Sequence, residues 1–134
     1  MTEPADPSAA TALSWIAKAT DDLTIAELIL DSDVGVEWAA CFHAQQAAEK
    51  AVKAVLVCLG TDFPKSHRLD RLAALLPASC DPGFDIAALT ELAPWAVAGR
   101  YPEDIENPTE AEATGLVELA QHIVRSAKDF IAST

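Results

Sequence analysis

The chain predicts an all-α fold, an up-and-down antiparallel bundle of four to five helices. Hydrophobic residues make up 51% of it, with many alanines and leucines, a composition that favours helix over strand. Apolar residues recur at spacings of three and four over long runs, and no alternating β-branched run bounded by turns appears. The eight prolines cluster at a few breaks between those runs. A chain of 134 residues is one domain by length and can bury a core without covalent staples. Residues 1–7 read as a disordered tail, and 8–134 as one helical domain.

Each element follows from local signals. From about Ser8 to Leu30, Ile16, Ala19, Leu23, Ala26 and Leu30 form a stripe, with the acids Asp21, Asp22 and Glu27 on the other side. Asp31, Asp33 and Gly35 supply turn chemistry. A second helix runs from Val36 to Leu59 and ends at Gly60, a natural left-handed terminator. Its core stripe is Cys41, Gln45, Ala48, Val52, Val55 and Leu59, in which one glutamine is out of place. The small side chains of Ala44, Ala47, Ala48 and Ala51 allow a neighbouring helix to approach closely.

Ser66 is positioned to cap a short third helix, His67 to Leu76, with Leu69, Leu72 and Leu76 inward. Asp81 before Pro82 starts a fourth, with Ile86, Leu89 and Leu92 inside. Pro94 kinks or ends it, and Trp95 to Arg100 continue as an offset turn. After the loop RYPEDIENP, Asn107, Pro108 and Glu110 fit N-cap, N1 and N3 of a last helix. That helix carries Leu116, Leu119, Ile123, Ala127 and Phe130.

The net charge of −12 excludes general wrapping of nucleic acid, which rests on an excess of lysine and arginine. The charge is uneven, though. Between His43 and Arg71 five basic residues face three acids, so this segment alone is basic. Cys41 and Cys58 share one helix about 25 Å apart at 1.5 Å per residue, too far to bridge. Three reduced, largely buried thiols in a cytoplasmic protein are the expectation. The longest strongly apolar run near the middle, AVLVCL, is too short to span a bilayer, and the acidic MTEPADPSAA does not look like a signal peptide.

The stretch CFHAQQAAEKAVKAVL, Cys41 to Leu56, carries the most chemistry. His43, Gln46, Lys50 and Lys53 are spaced 3-4-3 and form one stripe on the helix. Glu49 lies four before Lys53 and can pair with it. Such a stripe is either the solvated face of a bundle or a cationic, hydrogen-bonding strip suited to phosphate or an acidic partner. His67 either satisfies a helix start or joins a polar pocket with Lys50 and Arg100. Arg100 and Tyr101, in the turn before Pro102, either bond helix-end carbonyls or contact a phosphate.

FHAQQAAEKAVKAVL, then SHRLDRL, then GRYPED resemble, in that order, the HEPN family (higher eukaryotes and prokaryotes nucleotide-binding domain). The residues that carry the resemblance are Phe42, His43, Gln46, Glu49 and Lys50, then His67 to Leu69, then Arg100 to Pro102. It covers roughly Trp15 to Phe130. It implies a helical bundle that dimerises and works beside a nucleotidyltransferase-like protein as one half of a toxin–antitoxin pair. Some members are metal-independent ribonucleases whose signature is an arginine, four to six residues, and a histidine. No arginine here has a histidine in that window.

The sequence also lacks a Walker loop, GxGxxG, a nucleophile elbow, a metal-ligand spacing and the paired Glu-x-x-His of a di-iron bundle, so no cofactor is expected. Trp15, Trp38 and Trp95 fit core or interface anchors better than base-stacking platforms. The expectation is a non-catalytic homodimer that partners a nucleotidyltransferase-like protein and contacts nucleotide or RNA phosphate through His43, Gln46, Lys50, Lys53, His67, Arg100 and Tyr101. Two rivals stand beside it: a ribonuclease with an atypical base, and a purely structural interaction module.

Overall fold

A computed structural model of the chain describes residues 7–97 and 107–134. Among these there are five α-helices and no strands: α1 (Pro7–Asp31), α2 (Glu37–Cys58), α3 (Leu69–Ala73), α4 (Leu89–Leu92) and α5 (Glu110–Ala132). Two 3-10 turns, Ile86–Ala88 and Ala93–Val97, flank α4. The tail expected at residues 1–7 falls outside the described residues, apart from Pro7, which begins α1.

The direction of each helix is visible in its side-chain partners. Lys53 of α2 lies over Trp15 of α1, and Lys50 and His43 reach Asp22, so α1 and α2 are antiparallel. Asn107 bonds Glu37 at the start of α2, and Thr134 meets Cys58 at its end, so α5 runs parallel to α2. The third leg is the broken segment from α3 to Val97, which packs on α2 between them. That is the up-and-down order, with the third leg built from short pieces.

At the centre lies α2. Its alanines 40, 44, 47, 48, 51 and 54 are fully buried, as are Cys41, Val52, Val55 and Leu56. Such small side chains let helices close in from more than one direction. Helix α1 supplies Ala12, Ile16, Ala19, Leu23 and Ala26, and α5 supplies Val117, Ala120, Ile123, Val124 and Ala127. The helix stops where Gly60 takes φ +70°, a conformation that costs a residue with a Cβ. Gly83, φ +86°, serves a closer fit: a Cβ there would sit 3.2 Å from Cβ of Ser126 on α5.

Several sequence expectations shift. Leu59 is 36% exposed because it is already the C-cap, where the chain leaves the stripe. Leu30, Leu116, Leu119 and Phe130 are only half-buried, while Val117, Val124 and Ile131 take the inner positions of α5. The third helix is shorter than expected: Ser66 Oγ accepts from Arg68 N in a local turn, and Arg68 is the N-cap.

The fourth element starts at Asp85, whose carboxylate caps Ala87 N, not at Asp81, which closes a turn onto Gly83 N. Its passage through 3-10 geometry, with three residues per turn, rephases the stripe and leaves Ile86 38% exposed. Pro94, with no N–H to give, falls in the second 3-10 turn. The cap of α5 is two residues later than expected. Thr109 and Glu112 form a reciprocal capping box, and Asn107 instead accepts from Trp38 N.

Candidate functional site

The polar side of α2 is organised around two buried carboxylates. The first belongs to α1. Asp22 sits three residues after Ala19 and four before Ala26, so it falls at the edge of the core stripe and is 6% exposed. Sequence reasoning groups it with the outward acids, although that spacing is a readable signal. Its Oδ1 accepts from His43 Nδ1 at 2.9 Å, and its Oδ2 accepts from Lys50 Nζ at 2.5 Å. One carboxylate therefore holds two members of the sequence-predicted stripe. Both donors are about a quarter exposed.

The second carboxylate is Glu49, 1% exposed, on α2 itself. His67, in the loop before α3, donates from Nδ1 to its Oε1 at 3.1 Å while remaining 75% exposed. Lys53 lies 3.8 Å away, an ion-pair distance too long for a hydrogen bond. The Lys53 ammonium is enclosed instead by aromatic faces, 5.1 Å from the Trp15 ring and 6.0 Å from Phe63. The Glu49–Lys53 pairing expected from the sequence is present. Lys53 itself, only 6% exposed, faces inward rather than along the open strip.

Gln46 donates to Gln45 Oε1 at 2.7 Å. Gln45, the odd glutamine of the core stripe, is fully buried and its Nε2 has no partner. An amide left this way costs on the order of 1–3 kcal/mol. Arg100 and Tyr101 lie outside the described residues. The structure thus brings His43, Gln46 and Lys50 to one surface and His67 with Lys53 to Glu49. Asp22 and Glu49 are the two members of the constellation absent from the predicted set.

Two chemical consequences follow. In both histidines the carboxylate occupies Nδ1, so each ring offers Nε2, as an acceptor when neutral and a donor when protonated. Each lysine is already matched to a carboxylate, so the net positive charge of the strip is smaller than its residue count suggests. Elsewhere, Arg68 binds Asp70 through Nε and Nη2, and those hydrogen bonds hold the Asp70 carboxyl below its usual range. Burial, with Glu112 and Glu37 nearby, pushes the Cys41 thiol up to about 12. Burial and then Asp81 raise that of Cys80. All three cysteines are free thiols.

No group of three or more histidine, cysteine, aspartate or glutamate side chains among the described residues is placed to hold a metal ion. No helix among them is long and apolar enough to cross a membrane.

TT1696 from Thermus thermophilus has a crystal structure similar to this one, with a TM-score of 0.71 and 28% identity over 88% of this chain and 96% of that one. The structure of ST0689, an archaeal HEPN homologue, matches with a TM-score of 0.69 and 28% identity over 90% of this chain and 97% of that one. A search of functionally curated proteins found no match. The HEPN domain family model matches residues 12–130, which include α2 with both of its carboxylate clusters and every candidate residue. The chain belongs to the HEPN family.

Proposed function

We propose that this HEPN bundle acts by binding rather than by cleavage: it pairs as a homodimer and partners a nucleotidyltransferase-like protein in a toxin–antitoxin arrangement. The observation that carries the non-catalytic half is the absence of any arginine followed after four to six residues by a histidine, and membership of the HEPN family supports the dimer and the partner. A second support is that the polar face of α2 is tied into the bundle by Asp22 and Glu49. In this reading nucleotide or RNA phosphate is met by His43, Gln46, Lys50 and His67, together with Arg100 and Tyr101. Lys53 holds Glu49 and the aromatic pair in place.

Calorimetric titration of nucleotides and short RNA against the wild type, Lys50→Ala and Arg100→Ala tests the site. Heats equal in all three proteins, or absent from all three, remove it. Co-expression with the product of an adjacent nucleotidyltransferase-like reading frame tests the partner, and failure to co-purify sinks that half of the reading.

One observation favours a second reading, a ribonuclease with an atypical base. Two histidines each hold Nδ1 on a carboxylate and leave Nε2 free, the arrangement a general acid or base requires. Incubating the protein with RNA in EDTA decides between the two. Cleavage lost in His43→Gln or His67→Gln supports the enzyme; intact RNA at micromolar protein eliminates it.

A further inference from the structure

A cleft runs between α3 and the segment Ile86–Val97, and it has two lobes. The inner lobe, about 280 Å³, is walled by Ala74, Ile86, Ala87 and Leu89. The outer lobe, about 470 Å³, opens between His67, Arg68 and Val97. Asp70, Thr90 and Ala93 line both, so the two lobes adjoin along these residues. A space of this size with an apolar floor and a few polar groups at one end has the build of a small-molecule site.

The polar end is held by more than chance exposure. Burying Glu49 costs desolvation, and Lys53 at 3.8 Å offers it no hydrogen bond. Its hydrogen bond goes to His67, which is itself mostly in water. A core carboxylate thus fixes the imidazole at the mouth of the cleft. Beside it, Arg68 spends two N–H groups on Asp70. A guanidinium has five, so three remain for an incoming acceptor.

We propose that this cleft binds a small organic anion, with an apolar body in the inner lobe and a carboxylate or phosphate head at Arg68 and His67. The proposal shares His67 with the phosphate contact proposed for the α2 face and differs from it in requiring Arg68 and the apolar lobe as well.

Titration of the full chain with octanoate, phenyl phosphate, octanol and inorganic phosphate, followed by calorimetry and amide chemical shifts, tests it. Octanoate or phenyl phosphate should bind saturably at one site, with shifts at Ala74, Ala87 and Thr90. Which of the two binds more tightly identifies the head group. Ala87→Trp, at an exposed position, should fill the inner lobe and abolish binding; Ala74→Phe serves the same purpose if the first variant melts early. Arg68→Gln should weaken the anions at least about fivefold, the worth of one lost charged hydrogen bond, and leave octanol unchanged. Absence of saturable binding overturns the proposal. So does binding that survives both filled variants, or inorganic phosphate binding as tightly as the organic anions.

Discussion

At Asp22 one carboxylate, only 6% exposed, faces two donors on the next helix. Replacing it by asparagine removes the charge while Lys50 and His43 stay where they are. Both partners are about a quarter exposed and can turn to water, so the cost falls short of that for a wholly buried pair. Asp22→Asn should destabilise by about 1–3 kcal/mol in urea unfolding, and Lys50→Met by less than about 1 kcal/mol. A larger loss from Lys50→Met than from Asp22→Asn would refute the central role of the carboxylate. Cys41 gives a pH prediction. Its folded pKa is about 12, above the unfolded value of about 8.5, so its contribution is complete below about pH 8.5 and is lost as pH climbs toward 12. The wild type should therefore lose more stability between pH 7.5 and 10.5 than Cys41→Ala does, as read from urea midpoints. In the folded state Cys41 should also resist iodoacetamide at pH 8.5.

At the scale of elements, periodicity locates the long helices well because a stripe spaced three and four has few other homes. It locates short elements and caps poorly. Asn107, Pro108 and Glu110 read as a helix start, but which residue caps α5 rests on what else competes for Asn107. That residue bridges to Trp38 N and Glu37 at the start of α2, leaving Thr109 to cap α5. Thr109→Ala should cost about 1 kcal/mol and fray the first turn of α5, visible as faster amide exchange at Ala111 to Ala113. Asn107→Ala should leave that turn protected while loosening the first turn of α2. Matching effects from the two would return the cap to Asn107. The stretch from Asp81 to Pro94 reads in sequence as one helix with Ile86, Leu89 and Leu92 inside, but 3-10 turns on either side of α4 change the phase, and no residue count reveals that in advance.

Across the whole molecule, burial is concentrated on α2, while the α3-to-Val97 leg is made of short pieces with exposed edges. Local opening follows that contrast. In native-state hydrogen exchange, amides from Ala44 to Leu56 should be the slowest in the chain, and those of α3 and α4 should exchange through cheaper openings. Equal protection in both would mean that the third leg opens only with the rest of the bundle. The all-α class, the two long helices flanking the first turn, the Gly60 stop and the motif order shared with the HEPN family were all legible in the sequence. Each depends on residues close together along the chain, through periodicity, caps or motif spacing. Which polar residues meet was decided by tertiary structure. Asp22 and His43 lie 21 residues apart, and Glu49 and His67 lie 18 apart. Their contact depends on the rotation of α1 against α2 and on where the loop before α3 returns. A helical period places a side chain on a face, but it does not say which charge the neighbouring helix brings to it.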